Sequence, residues 1–172
     1  MSENIILCGF MGSGKSSIGR RLAAKTNRQF IDLDRYIQEK TNKTISEIFR
    51  DEGEEAFRQM ETEAVRELAS QSDCIIAAGG GTVLREINVN LFREGGGKII
   101  FLDVPLPALC ERLKNDKQRP LLQVENRREV IETLYNKRID LYRAAADIVF
   151  YAGHPAKYAA KLLAEDITAG RI

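Results

Sequence analysis

A chain of 172 residues amounts to one domain, long enough to bury a core without help from disulfides or metals. Hydrophobic residues make up 44% and charged ones 30%, and 26 basic against 25 acidic residues leave a formal charge of +1, so no long-range field draws the protein to nucleic acid or to a membrane. Cys8, Cys74 and Cys110 are odd in number, far apart and set in apolar segments, as reduced thiols packed like small hydrophobes would be, and a lone His154 excludes a histidine-based zinc cluster. With no basic leader and no apolar run of membrane-spanning length, a soluble cytoplasmic monomer forming a single domain over 1–172 is expected.

Strand-like apolar runs recur at 5–8, 29–33, 74–78, 98–104 and 147–151, with helical periodicity between them. That alternation predicts an α/β fold in three layers, a parallel sheet covered by helices on both faces. Directly after the first run, residues 9–16 read G-F-M-G-S-G-K-S, the G-x-x-x-x-G-K-[ST] phosphate-binding pattern, and Ile18 and Leu22 open an apolar helical stripe behind it. Gly9, Gly12 and Gly14 let backbone approach phosphate oxygens. Lys15 brings an ammonium to the β- and γ-phosphates, and the Ser16 hydroxyl suits Mg²⁺ carried by the nucleotide. Gly12, Ser13, Gly14, Lys15, Ser16 and Ser17 are therefore the expected nucleotide cradle.

A phosphate loop serves switches, motors and kinases alike, so the other polar clusters must decide. Asp32 and Asp34 flank Leu33 at the end of the second run, where an open parallel sheet presents its ligand crevice. One carboxylate suits the metal's water shell and the other a substrate hydroxyl, and Asp32 is preferred as the metal's acid over Asp103, which ends the apolar stretch 99–103 within the fourth run. Thr44 and Glu47 have capping-box spacing, Gly53 interrupts the helix they begin, and Phe57, Met60, Ala64 and Leu68 form an inward stripe beyond it. Arg58 and Glu61 stand three apart on that helix and can orient each other. Gly79, Gly80 and Gly81 place bare backbone at the end of the third run, where it can touch a small ligand; the second triple glycine, at 95–97, reads as a plain loop.

Near Pro107 a further helix carries Leu109 and Leu113 inward, and the polar, proline-broken stretch 114–126 reads as a mobile lid whose Arg119 can swing over a transferring phosphoryl group. The next helix is expected to turn Val130, Leu134 and Leu141 inward, with Tyr135, Arg138 and Tyr142 on one face and Arg138 suited to bidentate recognition of a carboxylate. Residues 136–140, N-K-R-I-D, come close to a guanine reader but hold one residue too many and lie in helical periodicity. A last helix uses Ala156, Ala159, Leu163 and Ile167.

In this order, G-x-x-G-x-G-K-S, Asp32-x-Asp34, Phe57-Arg58-x-x-Glu61, the triple glycine at 79–81, Arg119-Pro120-Leu121 and Tyr135-x-x-Arg138-x-x-x-Tyr142 resemble the shikimate kinase family. The resemblance spans residues 9–142. It implies a fold similar to nucleoside monophosphate kinases, a P-loop NTPase with five parallel strands in the order 2-3-1-4-5, and phosphorylation of the 3-hydroxyl of shikimate by MgATP in aromatic amino-acid biosynthesis. Residue by residue it implies a substrate-binding helical segment over about 33–61, with Asp34 on the substrate hydroxyls and Arg58 and Arg138 on its carboxylate. Gly79, Gly80 and Gly81 would line the ring, Arg119 would bridge substrate and phosphates, and Ser16 and Asp32 would serve Mg²⁺. Arg112 and Pro155 would enclose the adenine.

Overall fold

The computed structural model describes residues 3–117 and 122–172. Within them, five strands make one sheet: β1 (Ile5–Cys8), β2 (Gln29–Asp32), β3 (Cys74–Ala77), β4 (Lys98–Asp103) and β5 (Ile148–Tyr151). Their spatial order is β2-β3-β1-β4-β5 and every neighbouring pair is parallel. The register runs without a break, with Ile6 opposite Ile76 on one side and Ile99 on the other. Every residue of the central strands β1 and β3 is buried, as unbroken apolar runs covered on both faces must be. The phosphate-binding fold implied by the resemblance is the one observed.

Among the described residues seven α-helices surround the sheet: α1 (Lys15–Thr26), α2 (Leu33–Thr41), α3 (Ile45–Ala69), α4 (Glu86–Glu94), α5 (Leu106–Leu113), α6 (Arg127–Ala145) and α7 (Ala156–Thr168). Successive residues of β1 point to opposite faces. Leu7 meets α1 where Gly19 brings that helix close, and Ile6 meets the turn that follows α4. Helix α7 packs against α1, and α3 packs against both α2 and α4. The ring of Tyr142 on α6 stacks on Phe101 of β4, with centroids 5.5 Å apart and planes 15° from parallel.

The local signals read from the sequence act as expected at α3. Thr44 Oγ1 accepts from the Glu47 amide at 3.2 Å and Glu47 Oε2 accepts from the Thr44 amide at 2.7 Å, closing the capping box. Gly53 (φ 86°, ψ 171°) breaks the helix as anticipated, and α3 continues beyond the kink with Phe57, Ala64 and Leu68 buried. Among the described residues no helix is long and apolar enough to cross a membrane.

Three expectations need correction. The second strand ends at Asp32, not at 33: Asp32 caps α2 by accepting from the Arg35 amide at 3.3 Å, and Asp34 lies in the first turn of that helix. On α6 the buried residues are Ile131, Ile139, Tyr142 and Ala145; Val130 and Leu134 are half-buried and pack against the core as expected, whereas Leu141 is 50% exposed. Tyr142 fixes the rotation of α6: its ring stacks on Phe101 of β4 and its hydroxyl donates to Gly80 O, which leaves Leu141 facing outward. Cys8 and Cys74 are buried, but Cys110 is only partly covered on α5.

Candidate active site

The loop between β1 and α1 closes on itself before the helix begins. The Ser13 amide donates to Phe10 O at 3.1 Å, and the Ile18 amide donates to Gly14 O at 2.8 Å, starting α1. Gly12 (φ 77°) and Gly14 (φ 92°) hold left-handed backbone that a Cβ would strain. Lys15 lies back along the loop, its Nζ donating to Gly9 O at 2.8 Å and to Phe10 O at 3.0 Å. A cleft of about 390 Å³ opens in front, lined on one side by Gly12, Gly14, Lys15, Ser16 and Ser17 and on the other by Asp32, Asp34, Ala78, Gly79 and Gly80. Its position at the carboxyl ends of β1 and β3, beside the strand where the sheet's order reverses, is where open α/β sheets bind ligands. The helix N-terminus and the loop amides make this side an anion site.

Ser16 and Asp32 meet directly, with Ser16 Oγ donating to Asp32 Oδ2 at 2.6 Å. Two hard oxygens held together at the end of a phosphate loop are the donors Mg²⁺ takes when it arrives with a nucleotide. Asp103, the rejected alternative, stands instead 3.7 Å from the Arg143 guanidinium. Residues 136–140 lie within α6, as their periodicity indicated.

Asp34 marks the boundary between the two halves of the cleft. Burial pushes its carboxyl up to about 6; the carboxylates of Asp32 and Glu61 add to the rise, and Lys15 and Arg58 oppose it. A group that changes charge near neutrality inside a cleft is suited to orient a hydroxyl and take its proton.

Beyond Asp34 lies a cationic end. Arg58 Nη1 donates to Glu61 Oε2 at 2.8 Å, with Glu61 only 1% exposed and Arg58 20%. The guanidinium lies so close over Gly81 that a Cβ there would sit 2.7 Å from both terminal nitrogens. Gly80 has Arg138 Nη1 4.0 Å from the place its own Cβ would take. Its carbonyl accepts from the Tyr142 hydroxyl at 2.5 Å. Burial pushes that phenol up to about 12, while the Arg138 charge beside it pulls the other way. The two arginines, from α3 and α6, thus flank one three-glycine wall.

At the phosphate-loop end, Arg112 Nη1 donates to Gly12 O at 3.1 Å and Nη2 to Ala152 O at 3.4 Å. That ties α5 to the phosphate loop and to the segment that leads into Pro155, an exposed residue at the start of α7. Arg119 and the middle of the 114–126 stretch lie outside the described residues. The parts of that stretch that are described are anchored: Leu122 is buried, and Arg127 donates to Leu122 O at 2.7 Å, to Leu113 O at 3.1 Å and to Lys114 O.

Sequence reading missed Thr82 and Asn88, both without solvent exposure, and did not foresee that Glu61 would be wholly buried. Thr82 Oγ1 donates to Glu61 Oε1 at 2.6 Å, and Asn88 Nδ2 donates to Thr82 O at 2.9 Å. The only available signal was position: Thr82 is the first side chain after the triple glycine.

The comparisons with known proteins converge on one family. A family model for shikimate kinase matches residues 11–168. The shikimate kinase of Aromatoleum aromaticum is 41% identical over 149 residues, covering 87% of this chain and 85% of its own. That of Pelotomaculum thermopropionicum is 43% identical over 143 residues, 83% of each chain. Among solved structures, shikimate kinase from Acinetobacter baumannii in complex with shikimate superposes with a TM-score of 0.90 at 35% identity, covering 100% of this chain and 96% of that one. A sugar kinase from Janibacter sp., at 16% identity and a TM-score of 0.64, shares the fold alone. With its phosphate loop, its carboxylate pair and its two arginines in the places described, the chain belongs to the shikimate kinase family.

Proposed function

We propose that this protein transfers the γ-phosphoryl group of ATP to the 3-hydroxyl of shikimate, a step of aromatic amino-acid biosynthesis. The observation that carries the proposal is the placing of Asp34 between a phosphate loop and a wall flanked by two arginines. Shikimate is a hydroxylated ring with one carboxylate, and such a molecule, held at the carboxylate by Arg58 and Arg138 across the bare backbone of Gly79, Gly80 and Gly81, turns its hydroxyls toward Asp34. The A. baumannii relative of the same fold was solved with shikimate bound.

Phosphoryl transfer through a loose transition state asks the protein for alignment and for positive charge around the migrating group. Lys15, now resting on loop carbonyls, exchanges them for phosphate oxygens. Asp34 orients the attacking hydroxyl and accepts its proton late. Ser16 and Asp32 would hold Mg²⁺, which would supply positive charge to offset that of the phosphates. Arg112 and Pro155 enclose the adenine, Ser13 and Ser17 complete the phosphate cradle, and Arg119, from the proposed lid over 114–126, adds charge above the transferring group. A monomer working in the cytoplasm, without nucleic-acid or membrane partners, completes the proposal; a formal charge of +1 offers nucleic acid and membranes no long-range attraction.

The test is ADP release from MgATP with shikimate, gluconate and nucleoside monophosphates offered separately. Turnover with shikimate alone is expected, and Arg58→Ala should raise the KM for shikimate. Turnover with gluconate or a nucleotide and none with shikimate would reassign the acceptor.

A further inference from the structure

Thr82 opens the 3₁₀ turn Thr82–Leu84 below the three-glycine wall, and all its hydrogen-bonding groups are committed inward. Its amide donates to Gly79 O at 3.2 Å, its carbonyl accepts from Asn88 Nδ2 at 2.9 Å, and its hydroxyl donates to Glu61 Oε1 at 2.6 Å. A β-branched side chain whose backbone is held at both ends has little freedom at χ1. The hydroxyl is therefore a fixed post. Glu61, buried beside it, gives its other oxygen to Arg58 Nη1 at 2.8 Å. Each oxygen of this carboxylate thus has one donor of its own, the first from a rigid turn and the second from the guanidinium that faces the cleft.

The pairing decides how Arg58 is presented. A buried carboxylate oxygen stripped of its donor is costly, and the nearest remaining donors are those of Arg58, whose forked guanidinium readily takes both oxygens of a carboxylate. Without the Thr82 hydroxyl, Glu61 would turn to engage Arg58 through both oxygens, spending N–H groups that would otherwise face a ligand. The guanidinium occupies the space a Cβ on Gly81 would take, so it cannot shift further toward that backbone.

We propose that Thr82 is a positioning residue for the acidic substrate: its hydroxyl locks the Glu61 carboxylate so that Arg58 stays flat against Gly81 with donors left for the substrate's carboxylate. The proposal rests on the assignment of Arg58 to that carboxylate, and the test keeps the two apart. Steady-state kinetics are compared for the wild type, Thr82→Val, Thr82→Ser, Arg58→Ala and the Arg58→Ala/Thr82→Val double variant, each with its melting temperature.

Thr82→Val, which keeps the shape and removes the hydroxyl, is expected to raise the KM for shikimate about tenfold and to leave the KM for ATP within about twofold. Thr82→Ser should restore the wild-type value, and in the Arg58→Ala background the Thr82→Val change should add less than about twofold. Should Thr82→Val not fold, Thr82→Ala with calorimetric shikimate binding takes its place, and the same outcomes apply. A folded variant whose shikimate KM is unchanged, parallel rises in both KM values, or a full effect persisting without Arg58 would each overturn the role of Thr82. If Arg58→Ala raises the KM while Thr82→Val does not, only the Thr82 proposal falls. If Arg58→Ala leaves it unchanged, both fall.

Discussion

The chain contains two runs of three glycines, and they serve opposite ends. At 79–81 a Cβ on Gly81 would strike the guanidinium of Arg58 at 2.7 Å, the end of a side chain that the proposed reaction uses. At 95–97 a Cβ on Gly95 would come within 2.3 Å of the main-chain oxygen of Ala69, at the close of α3. Neither residue needs glycine for its backbone angles, with φ at −106° and −75°. The difference lies wholly in what occupies the missing side chain's place: movable charge at the cleft, immovable backbone in the scaffold. A substitution in the first run should therefore be read out in binding, and one in the second in stability.

The sharpest departure from scaffold behaviour is expected at Asp34, whose Oδ1 lies 2.9 Å from the position of a Cβ on Gly79. Asp34→Asn should lower kcat by about 100-fold or more while leaving nucleotide affinity nearly unchanged. An unaltered kcat would remove Asp34 from the chemistry. The same variant should melt higher than the wild type at pH 7.5. The folded protein raises this carboxyl from 3.8 to about 6, so it binds the proton more tightly than the unfolded chain does. The stability associated with the neutral acid is complete below the unfolded value and is lost as pH rises from about 4 through about 6. Melting temperatures of variant and wild type should accordingly approach each other near pH 4 and separate above pH 6. The opposite order would show that the carboxylate is not held under strain.

Smaller effects should separate the two glycine runs. Gly81→Ala is expected to raise the KM for shikimate by about tenfold to a hundredfold as Arg58 is displaced, with little change in melting temperature, because a flexible side chain can yield. Gly95→Ala should cost about 1–3 kcal/mol, a fall of several degrees in a protein of this size, and leave both KM values alone. Thermal melts and steady-state kinetics on the pair decide this, and a reversed pattern would dissolve the distinction. Least in size, closure of the proposed lid should lower protease cleavage within 114–126 when both ligands are present, and cleavage that persists would count against a lid.

How far the sequence foretold all this depended on how local each feature is. The phosphate loop was legible because its strand, glycines, lysine and serine are consecutive, and the capping box of α3 for the same reason. Strand alternation predicted a covered parallel sheet, but the order β2-β3-β1-β4-β5 came from the family resemblance, since periodicity carries no information about neighbours in space. Asp34 was read at the end of a strand because Leu33 continues the apolar run, yet Asp32 caps a helix at that point. The phase of α6 was misjudged by one residue: aliphatic spacing favoured Leu141, and a tertiary hydrogen bond from Tyr142 to Gly80 overruled it. Thr82 was invisible because the partner of its hydroxyl, Glu61, is distant in sequence.

The central claim is that Arg58 and Arg138 converge on the carboxylate of one small ring acid beside the phosphate loop. It is tested most directly by measuring the binding of shikimate, and of an analogue lacking the carboxylate, to the wild type and to Arg58→Ala and Arg138→Ala. Each substitution should weaken shikimate binding by about 2–5 kcal/mol and leave the analogue's weaker binding almost unchanged. Equal losses for both ligands, or no loss for shikimate, would contradict it.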